Sequence, residues 1–323
     1  MKKQLLIAVC IIMMSISASA ATINKALLEH NGEVTLYDGD KIQDAVNAAS
    51  DGDVIYLTLG TFKPFNVTRK ITIRGAGDTS IIDGDVTISI PGASKLTSPV
   101  LESLAVSGNV HVGAQVDDLI IRKCKIGTFT IGAYIDGAVL DRCYITNVLT
   151  LSSYILGMTV VNTKLYSVNA NSGATQNTTF VNCNLYRLKT SNFSATIMNS
   201  IVQSISNDEY SSSTLNSTVV LNSLINNYSY SSSYPFVIGS SSVTQECYIV
   251  SEPNVVTSEC ECKYDTYTLQ SKAYLGTDGN VVGIYGGDTP YTLDPTVPKV
   301  TSSDIKLDTK TKKLNVKLTV SPQ

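Results

Sequence analysis

Ile121-Arg122-Lys123-Cys124-Lys125-Ile126 opens a phrase that this chain repeats roughly every twenty residues. It returns as Leu140-Asp141-Arg142-Cys143-Tyr144-Ile145, Val160-Val161-Asn162-Thr163-Lys164-Leu165 and Phe180-Val181-Asn182-Cys183-Asn184-Leu185. Further copies are Ile197-Met198-Asn199-Ser200-Ile201-Val202 and Val220-Leu221-Asn222-Ser223-Leu224-Ile225, with a looser one ending at Cys247-Tyr248-Ile249. A repeat this short cannot bury its apolar face alone, so successive copies must stack. The period predicts an all-β solenoid.

Within each copy, period-two alternation places Ile121, Cys124 and Ile126 inside and Arg122 and Lys125 outside. Position 123 breaks the alternation and marks a tight bend. In later copies that position is Asn162, Asn182, Asn199 and Asn222, and Asn tolerates the left-handed backbone of a sharp turn. A structural Asn ladder is expected, its side chains hydrogen-bonding up the column. The inward column after the bend reads Ala76, Leu104, Cys124, Cys143, Thr163, Cys183, Ser200, Ser223, Cys247. That predicts about nine coils and a rod of roughly 40 Å.

Upstream, Asp40 is placed to cap a helix over 41–49, whose apolar positions Ile42, Ala45, Val46 and Ala49 have helical spacing. Glu33 to Tyr37 and Val54 to Leu57 read as strands. The stretch "IQDAVNAASDGDVIYLTLGTF" with "KITIRGAGDTSIIDG" resembles the opening of right-handed parallel β-helix proteins of the pectin-lyase-like superfamily. "YTLQSKAYLGTDGNVVGIYGG", from Tyr267 to Gly287, resembles the closing phrase of secreted members. The resemblance implies a helix capping the open end, an Asn ladder between two sheets, and a last coil formed by the closing phrase. It names a scaffold that hosts lyases, hydrolases, adhesins and inactive proteins alike.

The expected organisation is a signal peptide (1–20), an N-terminal segment with capping helix (21–53), a right-handed parallel β-helix (54–287), and an exit segment with β-hairpin (288–323). The signal peptide is read from Lys2 and Lys3, the apolar run Leu5 to Met14, and the small residues Ala18-Ser19-Ala20. Bulky Val9 argues against lipidation at Cys10. The mature chain is expected to be secreted, periplasmic or on the cell surface, with no transmembrane segment. Losing Lys2 and Lys3 takes the net charge from −3 to −5, and no basic stripe suggests a nucleic-acid partner. The hairpin is read from Ile305, Leu307, Leu314, Val316, Leu318 and Val320 around Asp308 to Lys313, and is expected to cover the edge of the last coil or to attach to a surface.

Cys124, Cys143 and Cys183 share one column and are expected to pack as small apolar thiols. Cys143 and Cys183 are two repeats apart, too far to bridge. Cys247, Cys260 and Cys262 can supply one disulfide; their spacing fits no zinc pattern.

Uronate lyases on this scaffold need a basic residue and acidic groups that hold Ca²⁺, and the related hydrolases need clustered aspartates. The signature phrases of those families are absent from the sequence. Asp117-Asp118 reads as a turn. Asp208 and Glu209, in an expected loop from Ser206 to Leu215, are weak cation candidates, since Ca²⁺ wants six to eight oxygens. No cofactor is expected. Arg187 and Lys189 follow a strand without an acidic cluster in register, and neither His30 nor His111 has a partner by spacing. Arg122 and Asp141 hold matching outward positions and are expected to pair.

The strongest binding feature is aromatic. Tyr166 and Tyr186 each follow an inward Leu, so their rings are expected to stack on an outward face. Tyr144 lies a coil away in a nearby column, and Tyr228, Tyr230 and Tyr234 are expected in a polar loop over 226–234. The reading is a non-enzymatic protein that binds a polysaccharide or other surface partner through this Tyr/Ser/Asn-rich face. A polysaccharide lyase or glycosidase is the alternative, and a structural surface protein the third.

Overall fold

The computed structural model describes residues 24–90, 96, 98–113, 116–151, 155–170, 175–189, 193–207, 218–230, 237–238, 243–244, 276–280, 282–294, 299–308 and 313–321. The leader, Asp208, Glu209, Tyr234, Cys247, Cys260 and Cys262 lie outside them. Among the described residues the chain is a parallel β-solenoid of about 7 turns. Cys247 lies outside the described residues. Ala76 is not the inward residue of its coil: Ser80 is, fully buried and in line with Leu104, because residues 75–79 form an extra turn.

Two long sheets face each other. The first runs from β2 (Glu33–Asp38) through β1 (Lys25–His30) and β3 (Val54–Leu57) to Thr72–Arg74, then up the coils to Val237–Ile238. The second climbs from Gly60–Phe62 to Val243–Thr244. Coil strands pair parallel and in register, for example Ile121 with Leu140 and Ile126 with Ile145. Parallel sheets buried between layers read as Val/Ile/Leu-rich strands, and one continuous core from Ala26 to Ile225 fills the interior. Ile121, Cys124 and Ile126 are buried there, while Lys125 is exposed.

Helix α1 (Ile42–Ala48) closes the N-terminal end over Ile42, Ala45 and Val46. It starts one residue later than expected. Asp40 does not cap it; Asp40 sits in a preceding 3-10 turn (Gly39–Lys41), and Lys41 is the N-cap without a side-chain bond.

Every bend residue from Ser103 to Asn222 is left-handed: Ser103 (φ 53), Lys123 (51), Arg142 (54), Asn162 (44), Asn182 (52), Asn199 (50) and Asn222 (46). Sheet pairing above and below holds even Lys and Arg in a conformation that suits Asn. The Asn side chains do only part of the expected stacking. Asn222 Nδ2 donates to Asn199 Oδ1 at 2.9 Å, but Asn162 donates elsewhere.

Its acceptors belong to a return segment. Residues 276–280 and 282–294 run back along the bends and form no strand of a further coil, which corrects the reading for the described part of the closing phrase; 267–275 and 281 lie outside the described residues. Thr277 N donates to Asn199 Oδ1 (3.1 Å), Gly283 N to Asn199 O (2.7 Å) and Ile284 N to Asn184 Oδ1 (3.3 Å). Asn162 Nδ2 donates to the carbonyls of Ile284 (3.0 Å) and Gly286 (2.7 Å). The approach is too close for side chains: a Cβ on Gly283 would lie 2.6 Å from Asn184 Oδ1, and one on Gly287 2.4 Å from Asn182 Nδ2. The seam is imperfect, since Asn162 Oδ1, Asn182 Oδ1 and Asn184 Nδ2 are buried without partners.

Lys299–Asp308 and Lys313–Ser321 form the terminal antiparallel hairpin as a separate two-stranded sheet. Among the described residues it extends neither stacked sheet, so it does not cover the last coil by strand pairing.

Candidate functional site: an aromatic face on the second sheet

Leu165 and Leu185 pair in register and are buried, so the residue after each turns outward. Tyr166 and Tyr186 therefore stack, with ring centroids 5.1 Å apart and planes inclined by 25°. Tyr166 is 36% exposed and Tyr186 half-buried. The Arg187 guanidinium lies 5.7 Å from the Tyr186 ring centroid. The pair leaves an aromatic platform with a cation at one side.

The same sheet carries a hollow of about 230 Å³, lined in part by Asp78, Ile81, Ala105, Lys125, Gly127 and Thr146. Thr146 lies on the strand next to that of Tyr166, where the register shifts after the Ile145–Leu165 pair. Gly127 leaves the floor without a side chain, and Ile81 is 37% exposed. Hollow and platform thus lie on one sheet, and the hollow has Lys125 and Asp78 in its lining.

Tyr144 stands one column over, in register with Lys164. Lys164 is buried, its ammonium 5.5 Å from the Tyr144 ring centroid and 5.1 Å from that of Tyr291 on the return segment. Burial pushes the Tyr291 phenol well above the ordinary value. Tyr144 thus belongs to a Tyr–Lys–Tyr stack and not to the Tyr166–Tyr186 platform. Lys164 and Tyr291 were missed, because nothing in their spacing brings residues 127 positions apart together.

The expected loop at 226–234 is in part a strand, Leu224–Tyr230. Its neighbour Ile201–Asn207 offers a backbone edge that any sequence can pair with, polar or not. Tyr228 registers with Ile205, a buried position, and Tyr230 with Asn207. The structure does not align either with the platform column. Ser206 and Asn207 likewise belong to a strand.

The charged residues pair with one another. Arg122 Nε donates to Asp141 Oδ2 at 2.9 Å, as expected. Arg142 adds two bonds to the same carboxylate, at 2.9 and 2.7 Å. Two coils below, Arg74 Nε donates to buried Glu102 at 2.7 Å. These side chains hold one outward column: Arg74, Glu102, Arg122, Asp141. The Arg74–Glu102 half was legible, since both residues directly precede a bend. Lys123 is buried nearby, and burial, then the Arg142 charge, lowers its pKa. His30 also has a partner: Nδ1 lies 2.9 Å from both Asp53 oxygens. His111 registers between Thr87 and Thr130.

Asp117, Asp118 and Asp136 start adjacent strands, and Asp118 is left-handed (φ 53), as a turn residue. Asp141 lies five positions beyond Asp136 on the same strand, bound to its arginines. Among the described residues, no group of three His, Cys, Asp or Glu side chains could hold a metal ion.

Cys124, Cys143 and Cys183 are fully buried and unbridged. Burial pushes the Cys143 and Cys183 thiols up to about 12. Hydroxyls complete their column: Cys143 N donates to Thr163 Oγ1 (3.1 Å), Cys183 N to Ser200 Oγ (3.0 Å) and Ser200 N to Ser223 Oγ (3.1 Å). The column is structural. Among the described residues, no helix is long and apolar enough to cross a membrane. No protein-family model matches the chain, and neither a curated protein nor a solved structure does.

Proposed function

We propose that this chain is a secreted or cell-surface β-helix protein of the pectin-lyase-like type, which binds a polysaccharide or other surface glycan without cleaving it. The carrying observation is the Tyr166–Tyr186 stack, with Arg187 beside it. Sugar rings present flat C–H faces that stack on aromatic rings, and a stacked pair lies in place before the ligand arrives. The left-handed Asn bends and the helix α1 cap support the superfamily assignment. The leader, with Lys2, Lys3, Leu5 to Met14 and Ala18-Ser19-Ala20, supports export.

A glycan-array screen of the full chain tests this reading, with bound polysaccharides then assayed for new reducing ends and unsaturated uronates. The expected result is binding without cleavage, lost in Tyr166→Ala/Tyr186→Ala. Cleavage of any bound glycan overturns the non-enzymatic reading. Absence of binding to every glycan overturns the glycan reading and favours a structural role.

A further inference from the structure

Strand β2 ends the first long sheet. Among the described residues it has one neighbour, β1, so its second edge offers unpaired backbone groups. Its residues are Glu33-Val34-Thr35-Leu36-Tyr37-Asp38, with Leu36 50% exposed and the Asp38 side chain 65% exposed. It holds neither proline nor an inward-pointing lysine, the usual devices that blunt an edge. At the other end of the chain, Lys313–Ser321 pairs only with Lys299–Asp308 among the described residues, which leaves it an open edge too. A two-stranded ribbon is marginal in water unless another strand or layer joins it.

The two edges match. In an antiparallel pairing, Glu33 falls opposite Lys317, Val34 opposite Val316, Thr35 opposite Asn315 and Leu36 opposite Leu314. Lys313 then falls opposite Tyr37, diagonal to Asp38. Acid meets lysine at Glu33 and aliphatic meets aliphatic at Val34 and Leu36, which is the arrangement that stabilises cross-strand pairs. Self-pairing is disfavoured by the same rule. Two β2 strands in their centred antiparallel register set Glu33 against Asp38 twice, and two copies of Lys313–Ser321 in theirs set Lys317 against Lys317. The hairpin's other strand carries Asp304 and Asp308, which repel an acidic partner.

We propose that β2 is a docking edge for the terminal strand Lys313–Ser321 of a second copy of this chain. The contact uses two different surfaces, so each copy leaves one donor and one acceptor free. Such heterologous contacts generate open-ended chains, or rings where the rotation closes, and not isologous dimers. The proposal is independent of the glycan reading.

Sedimentation velocity of the full chain over a range of concentrations, in low and high salt, tests it. The expected result is a concentration-dependent ladder of species, weakened by salt. Glu33→Lys is expected to weaken association about tenfold, and Lys317→Glu equally. Combining the two with Asp304→Lys in one chain restores it, because Asp304 stands opposite Lys317 in the hairpin and both pairs are then re-formed with their signs exchanged. Leu36→Lys tests the edge through a half-exposed side chain and should also abolish the ladder; circular dichroism confirms that each variant is folded. A monomer at every concentration, a dimer of fixed size, or a combined variant that stays monomeric overturns the proposal.

Discussion

The side-chain amide of Asn162 donates to the carbonyl of Gly286 at 2.7 Å, across 124 positions of sequence. One residue thereby turns its own coil and anchors the return segment that crosses the neighbouring coils. Replacing it by Ala removes the bonds to Ile284 and Gly286 and leaves a left-handed non-glycine residue without Asn's tolerance. Asn162→Ala is expected to cost about 2–4 kcal/mol in urea unfolding.

Gly283 tests the seam from the other side. It has φ +87, and a Cβ there would meet Asn184 Oδ1 at 2.6 Å and Ile201 Cδ1 at 2.9 Å. Gly283→Ala is expected to destabilise by about 1–3 kcal/mol. The backbone amides of Thr277 and Ile284, which donate to Asn199 Oδ1 and Asn184 Oδ1, should lose hydrogen-exchange protection first, since the loss is local to the seam.

Tyr166 and Tyr186 should separate binding from stability. Their stack contributes about 0.5–1.5 kcal/mol beyond area burial, so either Ala variant stays folded. Glycan binding, where it is found, should fall more than tenfold in each variant. Tyr144→Ala should instead destabilise the chain with less effect on binding, since its ring packs on Lys164.

Asp141 neutralises two guanidinium groups, from Arg122 and Arg142. Asp141→Ala is expected to cost about 1–3 kcal/mol, chiefly through the half-buried cations left behind. Arg122 is 35% exposed and screened by water, so a double-mutant cycle between Arg122 and Asp141 should return a coupling of about 1 kcal/mol or less.

The buried thiols give a pH prediction. Cys143 and Cys183 rise from 9.0 to about 12 in the folded state. Between those values the unfolded chain releases protons that the native chain keeps, so stability is full below about pH 9 and falls as pH rises. Each thiol contributes a slope of about 1.4 kcal/mol per pH unit. Chemical denaturation from pH 8 upward should show the decline, and Cys143→Ala/Cys183→Ala should flatten it. At pH 8 in the native state both thiols should resist aromatic disulfide reagents.

The repeat phrase carried most of the fold because a solenoid's contacts are local in repeat number. Alternation around Cys124 specified which side chains face inward, and the break at 123 specified the bend. Tyr166 and Tyr186 were legible for the same reason: equal positions in adjacent coils become neighbours. Ala76 was misplaced because an inserted turn shifts register without changing local alternation, and the strand at Tyr228 was missed because neighbour pairing outweighs polar composition.

By itself, then, the sequence determined the stacked coils, their inward column, the left-handed bends and the Tyr pair, all of them consequences of a period that places like positions one strand spacing apart. Only the tertiary structure decided the course of residues 276–280 and 282–294, the burial of Lys164 between Tyr144 and Tyr291, and the open edge of β2. The physical reason is that these depend on contacts between segments that share no period. Backbone amides and close-approach glycines hold the return segment, and they carry no sequence code for the coil on which they settle.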